Sequence, residues 1–320
     1  MRLFKNTNIP FVQNRKVFYV ISALLVLAAI AGIIVKGFNL STDFKGGVSV
    51  IVNMQPKKAG VNALDIDQLR KVISDGGFKQ AEIQYIGERD DATFQIKAGG
   101  KDANKIKDEL TDLLSTQLSA YTEGRDMQKD VFQEFNTVGA KAGAEMGSKA
   151  ILAVVVALLL MIIYIWIRFE FTFGLMAILA LFHDVIIIVG IFSWTGKEFT
   201  MSIVAALLTI VGYSINDTIV IFDRIREDLK IYRKDPVPVI FNRSMNETLS
   251  RTVITSGTTL LTALALYIFG GPVIHDFAFA MSLGIIFGTY SSIFVASNLV
   301  LDAIKSTHQE KQSIKKLTKR

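Results

Sequence analysis

Apolar residues gather into six runs long enough to cross a bilayer, and a long mixed block of polar and apolar residues separates the first run from the second. A hydrocarbon core of about 30 Å takes roughly 20 mostly apolar residues in a helix. The runs cover residues 17–35, 150–167, 174–194, 201–222, 252–269 and 277–301, the last long enough to tilt. Between the first two, residues 36–149 carry a different rhythm. Residues 47–54 are rich in β-formers, and Leu64, Leu69, Val72 and Ile73 recur at helical spacing. Residues 78–87 and 92–98 read as strands about a turn at 88–91. Ile106, Leu110, Leu113, Leu114 and Leu118 form one helical stripe, with Asp102 placed as its N-cap. A last strand is expected within 130–138. The order β-α-β-β-α-β is the ferredoxin-like one, so the predicted fold is an all-α bundle of six transmembrane helices plus a small α+β domain.

Composition supports a chain with both parts. Of 320 residues, 51% are hydrophobic, too many for one soluble domain of this length. The net charge of +6 follows topology rather than one face. Arg2, Lys5, Arg15 and Lys16 precede the first run, seven Lys and Arg from Arg224 to Arg251 flank or fill the connection between runs four and five, and the tail 302–320 is basic. If six spans alternate, these regions share one side, and the positive-inside rule makes it cytoplasmic. Residues 1–16 and 302–320 are then inside, the 36–149 domain is extracytoplasmic, and no nucleic-acid partner is called for. The first run exceeds the roughly 7–15 residues of a signal h-region, and its small-residue stretch, Ala29 to Ala31, lies inside it, so it reads as an uncleaved anchor rather than a signal peptide. Cysteine is absent, so no disulfide supports the outer domain.

Ionisable groups inside apolar runs are expensive and tend to be functional. In run four, Asp217 shares a helical face with Tyr213 and Ser214, about a turn and a half from the end of the run. In run three, His183 and Asp184 are adjacent near the midpoint, so their side chains are expected to point about 100° apart. Arg251 heads run five, followed by Thr255, Thr258, Thr259 and Thr262, which form one polar stripe that reads as the wall of a polar seam. The outer domain holds no histidine and nothing that looks catalytic. No GxxxxGK[ST] loop is present, which argues against direct ATP use and against an enzyme. Gly284 and Gly288 form a weak GxxxG pattern, compatible with close helix contact but usually just packing within the chain.

These pieces resemble a family. GYSINDTIVIFDRIRE from Gly212 to Glu227, NETLSRT from Asn246, TSGTT from Thr255, LFHD ending at Asp184, and DFKGG from Asp43 to Gly47 are similar to the SecF subunit of the bacterial protein-export machinery. The likeness covers essentially the full length. Two positions depart from the pattern: Ser41 replaces a usual Gly before DFKGG, and the Val138-Gly-Ala140 segment lacks the Pro expected after Val-Gly.

The resemblance implies a cytoplasmic (inner) membrane protein of the resistance-nodulation-division superfamily. It implies a SecD-like partner, work beside a SecYEG-like channel and a YidC-like insertase, and a translocating unfolded polypeptide as cargo. It implies no cofactor, with protons as the coupling ion. By motif match the proton relay is Asp217 and Arg251, with Asn216, His183 and Asp184 as weaker members. Asp43, Phe44, Gly46 and Gly47 form the motif after the first span. Two rivals are half of a small-molecule or lipid exporter of the same superfamily, which needs a deep apolar pocket in the outer domain, and a purely structural scaffold, which needs no titratable centre.

Overall fold

The structure is a computed structural model that describes residues 7–56, 62–79, 81–87, 91–100 and 102–305. Arg2, Lys5, most of the turn at 88–91 and the basic tail beyond residue 305 lie outside the described residues. Among the described residues, six helices are long and apolar enough to cross a membrane. They are α1 (Arg15–Lys36), α6 (Ala140–Arg168), α7 (Phe171–Thr195), α8 (Met201–Ile231), α9 (Val237–Phe269) and α10 (Gly271–Tyr290), the last prolonged to Lys305 through a π-helical stretch, Ser291–Ala296. Three shorter helices accompany the sheet domain: α3 (Ile66–Asp75), α4 (Ala103–Gln117) and α5 (Ser119–Thr122). The one-turn α2 (Thr42–Lys45) follows α1.

The fourth and fifth helices outrun their apolar segments. With 31 and 33 residues, α8 and α9 are about 46 and 50 Å long at 1.5 Å per residue, well past a bilayer core. Hydropathy stops at Asp223 because charge begins there, but the helix continues because that charge is paired. Arg224 reaches Glu227 at 2.8 Å and Asp228 at 3.2 Å along its own helix and meets Glu247 of α9 across the hairpin. Pro236 and Pro238 open α9, where a missing N–H costs nothing. As a result Asp217 and Arg251 both lie near the middle of their helices, not at the ends where run-counting places them.

Helices α7, α8 and α10 form the buried centre, and α1, α6 and α9 present far more of their surface. Apolar helices gain little hydrophobic energy from each other in lipid, so small residues that permit close approach decide the packing. A Cβ on Gly190 of α7 would fall 2.3 Å from Ala29 of α1, and one on Gly284 of α10 would fall 2.3 Å from Ile210 of α8. Gly288 sits likewise against Ser214 at 3.0 Å. The Gly284/Gly288 pair thus serves packing within the chain. At the end of the bundle away from the sheet, Phe222 meets Phe169 and Phe173 edge to face, at 5.2 Å for the closer pair. Phe11 and Val12 are buried beside them, their segment tied down by the Asn246 side chain, which receives Ile9 N–H at 2.8 Å.

The sheet domain has four antiparallel strands, β1 (Gly47–Asn53), β2 (Glu82–Tyr85), β3 (Thr93–Gly99) and β4 (Phe132–Val138), in the order β2-β3-β1-β4. Val48, Val50 and Val52 alternate inward on β1 and pack with Phe94, Ile96, Leu69, Ile73, Leu110 and Leu114 into one core. Asp65 caps α3, and Asp102 caps α4 by accepting Asn104 and Lys105 N–H. The strand expected over 78–87 shrinks to Glu82–Tyr85. Phe78 instead closes a turn onto Ile73 O at 3.1 Å and packs against the core.

Candidate proton site within the membrane bundle

The segment after α1 is built to hold the start of α8. Ser41 caps α2 by accepting Asp43 N–H, and its own N–H donates to Phe199 O at 3.1 Å. Asp43 then accepts Met201 N–H at 3.0 Å, supplying a carboxylate to the first turn of α8. Phe44 lies beside Phe199, with ring centroids 6.4 Å apart. Gly47 has φ +148°, and a Cβ there would fall 2.4 Å from Ala98 O. Gly46 has φ +77° and lies so close to α6 that a Cβ on Gly143 would approach its nitrogen to 2.9 Å. The motif residues are a joint between the first span, the sheet and α8.

Near the midpoint of α8, Asp217 is 4% exposed. Ser256 Oγ of α9 donates to its Oδ2 at 2.8 Å, and Thr289 Oγ1 of α10 donates to that serine at 2.8 Å. Arg251 does not pair directly with it. Its side chain is exposed on α9, about one turn from Ser256, and among the described residues no ion pair or hydrogen bond holds its guanidinium. A carboxylate without a contacting cation, in a helix core, is costly to ionise and inexpensive to protonate.

A second polar knot sits one turn away. Asp184, 1% exposed, accepts Ser214 Oγ at 2.8 Å and Ser291 Oγ at 2.7 Å through Oδ2. His183 Nδ1 is 3.0 Å from its Oδ1, so the two neighbours turn toward each other rather than apart. Their side-chain torsions overcome the 100° between adjacent positions. The π-helical stretch of α10 presents Ser291 and Ser292 together, and Ser292 also bonds Thr218 at 2.8 Å.

Several predicted members are placed elsewhere. Ser214 faces Asp184 while Asp217 faces Ser256, so the two do not share a partner. Asn216 is exposed, and Tyr213 is half-buried, its hydroxyl enclosed without a partner among the described residues. The threonine stripe is not an internal seam. Thr255, Thr258 and Thr262 are exposed and Thr259 half-buried, and each hydroxyl donates to the carbonyl four residues back on its own helix. Within the apolar run of α9 the buried polar residues are instead Thr252 and Ser256. Ser256, Thr289, Ser291 and Ser292 escape sequence reasoning because serines are common in membrane helices, and only the crossing of α8, α9 and α10 brings these to the carboxylates.

Two family models match this chain: "Protein export membrane protein SecD/SecF, C-terminal" over residues 119–306 and "SecD/SecF GG Motif" over residues 31–57. The chain belongs to the SecD/SecF family. Among relatives, protein translocase subunit SecF of Rhodothermus marinus is 41% identical over 308 residues, covering 94% of this chain and 95% of that one. SecF of Haemophilus influenzae is 38% identical over 91% of this chain and 85% of that one. The crystal structure of SecDF, a translocon-associated membrane protein from Thermus thermophilus, superposes with a TM-score of 0.78 at 39% identity over 94% of this chain. This chain spans 39% of that longer one. Membership of the SecD/SecF family makes the chain a multi-pass accessory subunit of the Sec protein translocase. Within that family frame, the GG-motif match falls on the joint that caps α8, and the C-terminal match spans both buried carboxylates.

Proposed function

We propose that the chain couples proton movement through Asp217 to late steps of protein export. The observation that carries this is a buried carboxylate held by one serine hydroxyl, with an exposed guanidinium, unpaired among the described residues, about a turn along the neighbouring helix. Protonated, Asp217 is neutral in a low-dielectric core; ionised, it attracts Arg251, and the difference biases α8 against α9. One proton falling through about 100 mV releases roughly 2.3 kcal/mol, enough to shift a two-state equilibrium tens-fold. His183 and Asp184 serve as a second station of the relay, with Asn216 as a minor member. Protons are the coupling ion, and no other cofactor or catalytic step is invoked.

The partner is a SecD-like subunit. The outward stripe of Arg251 and the α9 threonines supports this, since such a face is poorly matched to lipid and suits a second bundle. A SecYEG-like channel, a YidC-like insertase and the translocating polypeptide complete the assembly. Both termini face the cytoplasm of the inner membrane, and residues 36–149 face outward as a ferredoxin-like domain, a description supported by the antiparallel β2-β3-β1-β4 order. The test is export completion in inverted vesicles with and without an imposed gradient. Asp217→Asn keeps shape and removes the titrating proton, so it should insert and bind its partner yet lose gradient-stimulated export. Stimulation at the wild-type level in that variant would falsify the role.

A further inference from the structure

Where the sheet domain meets the membrane bundle, charged side chains from separate elements converge. Lys97 of β3 places Nζ 2.6 Å from Oε2 of Glu198, which lies on the loop between α7 and α8 and is 6% exposed. Glu82 of the edge strand β2 is the cross-strand partner of Lys97, and its Oε2 lies 3.8 Å from the same ammonium. That oxygen is sealed from solvent and has no hydrogen-bond partner among the described residues. Two carboxylates therefore face one lysine. Lys97 neutralises one of them, and although the Glu82 side chain is 41% exposed, its enclosed Oε2 without a donor is costly as part of an anion.

The surroundings sharpen the imbalance. Burial first, and then Glu198, push the Glu82 carboxyl up to about 8, against the pull of Lys97, and Asp276 of α10 adds to the rise. Asp276 is itself engaged by Lys197 at 2.5 Å. Lys97 is held above its ordinary value despite burial because Glu198, Glu82 and Asp43 favour its charge. A cleft of about 870 Å³ opens onto the cluster, with Lys45 and Lys79 on its walls.

We propose that Glu82, Lys97 and Glu198 form a proton-operated latch, in which a proton on Glu82, donated in a hydrogen bond to Glu198, clamps the sheet domain to the membrane bundle. With that proton the cluster is neutral: Lys97 and Glu82 both donate to Glu198. When the proton leaves through the cleft, the cluster carries one net negative charge and two carboxylates confront each other across the seam. Because the clamped value is raised, the clamp is complete below Glu82's ordinary 4.5 and weakens as pH rises toward about 8. Glu198 sits two residues before Thr200, whose side chain caps α8, and next to Phe199, whose N–H and C=O pair with Asn39 and Ser41. The latch therefore bears on the lead-in of the helix that carries Asp217. On the orientation proposed above it faces the side from which protons enter, so an imposed gradient tightens it.

The absence of cysteine allows spin labels at Lys105, exposed on α4, and Thr195, exposed at the end of α7, in the full chain in nanodiscs. Pulsed dipolar distances are read from pH 6 to 9.5. The wild type should shift to longer, broader distances as pH rises through this window, in a one-proton transition. Glu82→Gln keeps a donor to Glu198 at every pH and should lose the transition in the short-distance state. Glu198→Gln frees Lys97 to pair with an ionised Glu82 and should move the transition out of this window. A wild type that does not change between pH 6 and 9.5, or a transition retained at the same midpoint in either folded variant, overturns the latch. Export is not read, so a failure of the Asp217 role leaves this result untouched.

Discussion

The Asp43 carboxylate accepts the backbone N–H of Met201 at 3.0 Å, so a residue just beyond the first span caps the helix that carries Asp217. Loss of such a cap costs about 0.5–2 kcal/mol, and the charge on the helix dipole adds roughly 0.3–1 kcal/mol. Asp43→Ala should lower thermal stability in detergent by about 1–2 kcal/mol, measured by circular dichroism. Asp43→Asn keeps an acceptor and should lose only the dipole part. Equal stability of Asp43→Ala and wild type would remove the cap from the account.

Gly47 is constrained by both dihedral angle and space, with φ +148° and Ala98 O at 2.4 Å from an added Cβ. Gly47→Ala must shift β1 against β3 at a site where backbone cannot yield cheaply. A loss of about 1–3 kcal/mol is expected. Faster amide exchange along β1 and β3, with the membrane helices unaffected, is the signature to look for.

Ser256 holds Asp217, and Thr289 holds Ser256. Removing a hydroxyl that donates to a buried carboxylate leaves it short of a partner, at about 1.5–3 kcal/mol. Ser256→Ala should reduce gradient-stimulated export about tenfold, equivalent to ~1.4 kcal/mol, and Ser256→Thr should recover most of it. If alanine and threonine behave alike, Ser256 is packing and no more.

The outward threonines predict the opposite pattern. Each donates to its own helix, so Thr258→Val with Thr262→Val changes the surface of α9 and little inside the chain. Stability of the isolated chain should stay within about 0.5 kcal/mol of wild type. Co-purification with the SecD-like partner should fall, because the polar face that it would cover has gone. Unchanged co-purification would place the partner elsewhere.

Orientation has its own check. A membrane-impermeant thiol reagent on intact cells should label cysteine at Lys105, in the sheet domain, and spare cysteine at Lys234, exposed between α8 and α9. Equal labelling, or the reverse, would invert the proposed topology.

Hydropathy and periodicity were enough to count six spans, to set a β-rich domain between the first two and to name Asp102 as a cap, because those patterns record which faces must leave water. They also singled out Asp217, since a carboxylate in an apolar run has no inexpensive local explanation. Residue type alone could not place its partners. Whether Ser256 or Thr255 faces Asp217 depends on the rotation of α9, which is held where the two helices run past their apolar segments, by Arg224 on Glu247 and by Ser244 on Asp228. The meeting of His183 with Asp184 needed side-chain torsions that spacing does not contain. Glu82, Lys97 and Glu198 look like ordinary surface charges one at a time. Only the seating of the sheet on the α7–α8 loop brings them together, and the enclosure of their facing atoms is what turns three common side chains into a site that can hold a proton.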